Sequence, residues 1–210
     1  MVGGAIPAAP IHAMSTTIER HALGLTWVET HGLRRSSHAL RADGRVWFID
    51  PFEDDVAFSA AAELGQAAAV IQLLDRHDRD CAQIAQRLEI PRLKVPDAVP
   101  DSPFEVIPVV SQRWWREVAL WWAQERTLVV AEAVGSVPAF ALGRRLGVHP
   151  LLRLTPPRAA LQRESPDRLL VGHGAALESG ADSAIREALG AARSDIPQLV
   201  RRLPSLVRER

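Results

Sequence analysis

Apolar and polar positions alternate with a period of two around residues 45–50. Val46, Phe48 and Asp50 face one way, and Trp47 and Ile49 the other. That period is the mark of a strand. The run 38–40 precedes it, and Asp43-Gly44 lies between the two. An Asp-Gly pair supplies the two positive-φ positions of a tight turn, so a β-hairpin is predicted, ended by Asp50-Pro51. The pattern then changes. Residues 56–65 are alanine-rich and close on Gly65, which predicts a helix with a glycine at its C-terminal end. Residues 68–74 are continuously apolar apart from Gln72, as in a strand covered on both faces. Cys81, Ile84, Ala85 and Leu88 then share one face of a helix over 80–88.

Short strands follow among prolines at 93–95 and 104–110. A second hairpin is predicted from strands at 117–122 and 127–133, with a turn at 123–125. Neighbours in a strand point to opposite faces, so one of Trp121 and Trp122 is expected inside and the other outside. Residues 135–157 form a connection rich in proline and glycine, with a short helix at 140–146. A last strand at 169–171 and two amphipathic helices at 181–192 and 196–208 complete the order, Pro197 falling in a first turn that tolerates it. Hairpin, β–α, hairpin, β–α predicts an α/β protein with two sheets packed on each other and helices outside.

Composition narrows the partners. Formal net charge is zero, which leaves no electrostatic footprint for nucleic acid or an anionic membrane. The four arginines of the tail, Arg201, Arg202, Arg208 and Arg210, read as the solvated face of a helix. Lys94 is the only lysine, a bias that reflects a GC-rich and hence bacterial genome. Cys81 is the only cysteine, so an intrachain disulfide is impossible and a reducing, cytoplasmic location is expected. Residues 1–17 lack the basic start and unbroken apolar core of a secretory signal and read as a disordered leader, with one domain over 18–210.

The candidate chemistry lies at two strand ends. The apolar run to Leu74 enters Asp75-Arg76-His77-Asp78-Arg79-Asp80-Cys81, and the late strand ends in Gly172-His173-Gly174. Together with the hairpin Val118 to Ala133 and the earlier Phe48-Ile49-Asp50, this order resembles the metallo-β-lactamase superfamily over roughly residues 25–189. The resemblance implies a four-layer αββα sandwich and a two-metal hydrolytic centre built on a His-x-His-x-Asp-His loop. Anchored on Asp80, that loop here carries Arg76, Asp78 and Cys81 at the three histidine positions. A further histidine position falls near Arg113, Glu132 replaces a bridging aspartate, and His173 is kept.

Guanidinium groups cannot ligate a metal, so the first metal position is lost. Asp80, Cys81, His173 and Glu132 remain competent donors for a single ion. His77 is expected to point away from the pocket. The leading expectation is a vestigial centre without a cofactor, in which Arg76 or Arg113 pairs with Asp78, Asp80 or Glu132, in a non-catalytic or small-molecule-binding protein. One alternative is a hydrolase using one zinc ion held by Asp80, Cys81 and His173. Another is a module that forms a homodimer through an outer tryptophan surface.

Overall fold

The computed structural model describes residues 16–77 and 79–208. The leader expected at 1–17 lies outside the described residues up to position 15, and Thr16 already begins a strand. Six strands form the first sheet, in chain order: β1 (Thr16–His21), β2 (Gly24–Glu29), β3 (Ser36–Ala42), β4 (Arg45–Ile49), β5 (Gln66–Gln72) and β6 (Arg92–Lys94). The first four run antiparallel to their neighbours, and β4, β5 and β6 are parallel. The hairpin of β3 and β4 turns at Asp43 (φ 49°) and Gly44 (φ 73°), the two left-handed positions that Asp-Gly supplies.

Helix α1 (Asp55–Ala62) crosses from β4 to β5, and α2 (Cys81–Arg87) from β5 to β6. The Asp54 carboxylate caps α1 by accepting the Ala57 N–H at 2.8 Å, which satisfies one of the helix's unpaired donors.

The second sheet has the order β12 (Arg168–Val171), β9 (Thr127–Val130), β8 (Trp115–Trp122), β7 (Phe104–Gln112), with β12 parallel to β9 and the rest antiparallel. A two-stranded ribbon, β10 (Val134–Gly135) with β11 (Gly147–Val148), lies in the connection between β9 and β12. The same connection holds α3 (Pro138–Ala141), a 3-10 turn at Pro150–Leu152 and α4 (Arg158–Leu161). Helices α5 (Ala181–Ala191) and α6 (Ile196–Arg208) close the chain.

The period-two pattern of β4 sorts its side chains into two cores. Val46 and Phe48 join Leu25, Trp27, Ala57 and Ile84 beneath α1 and α2. Trp47 and Ile49 join Ile71, Leu120, Val129 and Leu170 between the sheets. Alanines 181, 184 and 188 of α5, with Ile185 and Leu189, extend that second core to the outer helix layer. The result is the αββα sandwich.

Both Trp121 and Trp122 are buried, contrary to the expectation that one faces outward. From Glu117 to Trp122 both faces of β8 are buried. Trp114, in the turn before β8, is the exposed indole, at 55%. Strands β1 and β2 were not anticipated. The second hairpin strand ends at Val130 rather than at residue 133. Among the described residues no helix is long and apolar enough to cross a membrane.

Candidate metal centre

The sandwich closes at one end. Beyond Gln72 the chain leaves the first sheet and pairs with the second: Leu73 accepts the Val118 N–H at 2.9 Å, and the Asp75 N–H reaches the Arg116 carbonyl at 3.0 Å. On the other flank the Ser36 N–H reaches the Gly172 carbonyl at 2.9 Å. The carboxyl ends of β4, β5, β9 and β12 therefore converge, and each is followed by an ionisable residue: Asp50, His77, Glu132 and His173. Ends of neighbouring parallel strands are where α/β proteins gather reactive groups.

His77 lies at this convergence, opposite to the outward orientation expected. Its Nδ1 sits 3.0 Å from Asp50 Oδ2. Asp50 is buried, and its other oxygen accepts the Leu73 N–H at 2.9 Å. A carboxylate only accepts, so Nδ1 of His77 is the donor to it, and in the neutral ring this leaves Nε2 as the atom with the lone pair. His173 is wired the same way. Its Nδ1 lies 3.0 Å from the Leu33 carbonyl, which also only accepts. Its Nε2 is buried, without a hydrogen-bond partner, and 3.6 Å from Glu132 Oε1. Burial, then the nearby Arg79 guanidinium, lowers His173 to about 4, so the ring is neutral at neutral pH.

Ligand atoms of His77, Glu132 and His173 all lie within 4.8 Å of one another. Two lone pairs and a carboxylate thus face a common point. Such an arrangement repels itself unless a cation or proton lies between the donors. Imidazole held by a second-shell carboxylate or carbonyl is the usual form of a metal-ligating histidine. Tetrahedral zinc with bonds of about 2.0–2.1 Å separates its donors by about 3.3 Å. The 3.6 Å pair is near that spacing.

Two glycines make the His173 end possible. A Cβ at Gly172 would collide with the Ala131 carbonyl, and Gly174, at φ 96°, has Ser136 against it. A side chain at Gly172 would push the end of β12 away from Ala131, one at Gly174 would press on Ser136, and His173 would shift with either.

A third histidine, His149, flanks Glu132, with Nε2 3.9 Å from Oε1. Its Nδ1 accepts the Leu151 N–H at 3.2 Å, so Nε2 bears the proton and this ring can only donate toward the centre. Burial chiefly lowers it to about 4. Nothing in its sequence surroundings signalled this position; β11 and the following 3-10 turn deliver it. Burial pushes the Glu132 carboxyl up, but His77, His149, the Arg76 hydrogen bond and His173 outweigh it and hold it below the ordinary value.

Arg76 donates to Glu132 Oε2 at 2.9 Å and lies over the Trp115 ring, 3.8 Å from its centroid. Arg79, which the sequence did not single out, reaches the Ser36 and Asp50 carbonyls, both at 2.7 Å, and the Gly172 carbonyl at 3.1 Å. One guanidinium thereby ties the first sheet to the second.

Other residues of the expected set lie elsewhere. Asp80 Oδ2 accepts the Glu53 N–H at 2.8 Å, beside the start of α1. Cys81 is buried in the core under the helices, its thiol 3.8 Å from the Pro51 carbonyl and 3.7 Å from that of His77. Neither belongs to the cluster of donor atoms. The cause is local: Arg79 adopts a left-handed conformation (φ 38°), and the chain swings from the strand ends toward the helix layer. Arg113 is exposed in the turn between β7 and β8. Asp78 lies outside the described residues.

No protein-family model matches the sequence, and no curated protein matches it. Solved structures do. The DIM-1 metallo-β-lactamase superposes with a TM-score of 0.57 at 14% identity, over 85% of this chain and 97% of that one. VMB-1 gives 0.59 at 12% identity, over 87% and 98%. A metallo-β-lactamase from Pontibacter korlensis gives 0.57 at 11%, over 85% and 99%. The chain therefore has the metallo-β-lactamase fold, and at this identity the likeness speaks for the fold alone.

Proposed function

We propose that this metallo-β-lactamase-fold protein holds one divalent transition-metal ion between His77, Glu132 and His173, and that it is a mononuclear metal-dependent hydrolase rather than a two-metal one. The observation that carries the proposal is the buried Nε2 of His173, which has no hydrogen-bond partner and faces a carboxylate oxygen at 3.6 Å. Two imidazoles and one carboxylate are a recognised catalytic zinc set that leaves a coordination position open. An ion bound there would supply Lewis acidity and an acidified water. The chain's own residues have separate tasks. Asp50 and the Leu33 carbonyl fix the tautomers of the two ligand rings, Arg76 occupies one oxygen of Glu132, and His149 offers an N–H to an oxyanion in the open position. Among the described residues there is no second cluster of donor atoms for another ion, and Arg76, beside Glu132, is an obligate cation that cannot ligate.

The vestigial reading has its own support. The Arg76–Glu132 pair already neutralises the carboxylate, as expected of a relic in which a guanidinium stands in for a metal. Elemental analysis of protein purified without added chelator decides between the two. One equivalent of zinc or a similar ion per chain, lost in Glu132→Gln and in His173→Ala, is the expected result. Metal-free protein that stays empty when zinc is added would overturn the proposal and leave the ion-pair relic.

A further inference from the structure

Glu117 is a fully buried carboxylate of β8 that takes no part in the ligand set. Its Oε1 accepts the N–H groups of Glu132 and Ala133, both at 2.9 Å. Those residues lie beyond Val130, where β9 ends, and beyond Val129, its last residue paired with β8, so Glu117 supplies the acceptors that a strand neighbour would otherwise provide. Its Oε2 accepts the Trp115 Nε1–H at 2.9 Å. Trp115 is itself fully buried, packs edge-on against His149 with ring centres 4.8 Å apart, and carries Arg76 on its face. Arg76 closes the circuit on the Glu132 carboxylate. Burying a carboxylate is costly, and three donors are gathered on this one. A position serving only packing has no need of such a group.

We propose that Glu117 is the positioning residue of this centre. It holds Glu132 from both ends, through the main chain directly and through the side chain by way of Trp115 and Arg76. It thereby sets how tightly a divalent transition-metal ion is bound between His77, Glu132 and His173. The inference rests on the single-ion reading above.

The test uses the full chain, with zinc affinity measured by competition against a chromophoric chelator and the visible spectrum of the cobalt(II)-loaded protein as a second readout. In Glu117→Gln the amide keeps an acceptor for the main chain but sets a donor against the indole N–H. The expected result is a loss of about 10–100-fold in zinc affinity, the range typical when a group that orients a metal ligand is removed, with an altered cobalt spectrum. Trp115→Phe keeps an aromatic ring, though a smaller one, under Arg76 and removes the N–H. It is expected to lose several-fold, and it carries the test if Glu117→Gln does not fold. Wild-type affinity and spectrum in either folded variant, with Glu132→Gln unable to bind, would overturn the positioning role and leave the single-ion reading standing. A wild-type protein that binds neither zinc nor cobalt would overturn both.

Discussion

Two parts of one loop, only a few residues apart, have opposite fates. His77 turns into the space between the sheets, with its ring fixed by Asp50. Asp80 and Cys81 turn out to the helix layer, where one meets the start of α1 and the other is packed under α2. All three are competent metal donors by type. What separates them is the left-handed turn at Arg79 and the carbonyls that its guanidinium collects. Donor chemistry in a motif is therefore no guide to position; the backbone between the donors decides which of them share a point.

The comparison breaks most sharply at Arg79. Arg79→Ala removes the charged donor from the Ser36, Asp50 and Gly172 carbonyls, although Asp50 keeps the Ser37 hydroxyl and Gly172 the Ser36 N–H, and a loss of about 3 kcal/mol is expected for so many charged hydrogen bonds at a buried seam. Urea unfolding monitored by tryptophan fluorescence measures it; a change under about 1 kcal/mol would mean that Arg79 does not hold the sheets together.

Next in size is the contrast within the donors. His77→Ala is expected to cost at least about 100-fold in zinc affinity, or about 2.7 kcal/mol, whereas Cys81→Ala leaves that affinity unchanged. Equal losses in the two would return Cys81 to the centre.

Acid provides a third test. Burial holds His38 down to about 3, while an exposed histidine titrates near 6.5. The unfolded chain therefore binds the extra proton first. The His38 contribution is intact above pH 6.5 and is lost as pH falls from there toward 3. The slope is up to about 1.4 kcal/mol per pH unit, near 2 kcal/mol by pH 5. Glu117 acts in the opposite sense, since its folded value of about 7 lies above the unfolded one and its protonation favours the fold as pH falls toward 4.5. Urea midpoints at pH 7 and pH 5 for the wild type and for Glu117→Gln separate the two. His149 and His173, held near 4 by burial, lose stability in the same direction as His38, and the three together outweigh Glu117; a wild type more stable at pH 5 than at pH 7 would contradict that balance.

The smallest effect belongs to Asp80→Ala, about 1 kcal/mol or less for its bond to the Glu53 N–H, with metal content unaltered. Loss of metal in that variant would reinstate Asp80 as a ligand.

The architecture was legible where one physical signal dominated. Asp43-Gly44 marked the first hairpin, the unbroken run before Leu74 marked β5, and Cys81 with Ile84 and Ala85 marked the buried face of α2. Strand β2 was hidden because five of its six residues are buried, so its sequence shows no alternation. β1 carries charge on a mostly exposed edge. In the centre, Glu132 and His173 were legible as strand ends. His77 was misread because spacing was counted from Asp80 and ignored the turn at Arg79. His149 had no local signal, since the fold of a long connection brings it in. Glu117 did leave a trace, an acidic residue between the apolar Trp115 and Val118 of a predicted core strand, and only the unpaired N–H groups past β9 explain it.

The glycines on either side of His173 answer to the main chain around them and not to the imidazole. They form a socket. Whatever side chain is seated between them starts from the same stretch of backbone, so on the single-ion proposal a thiol or a carboxylate exchanged for the ring would retune metal preference without rebuilding the scaffold.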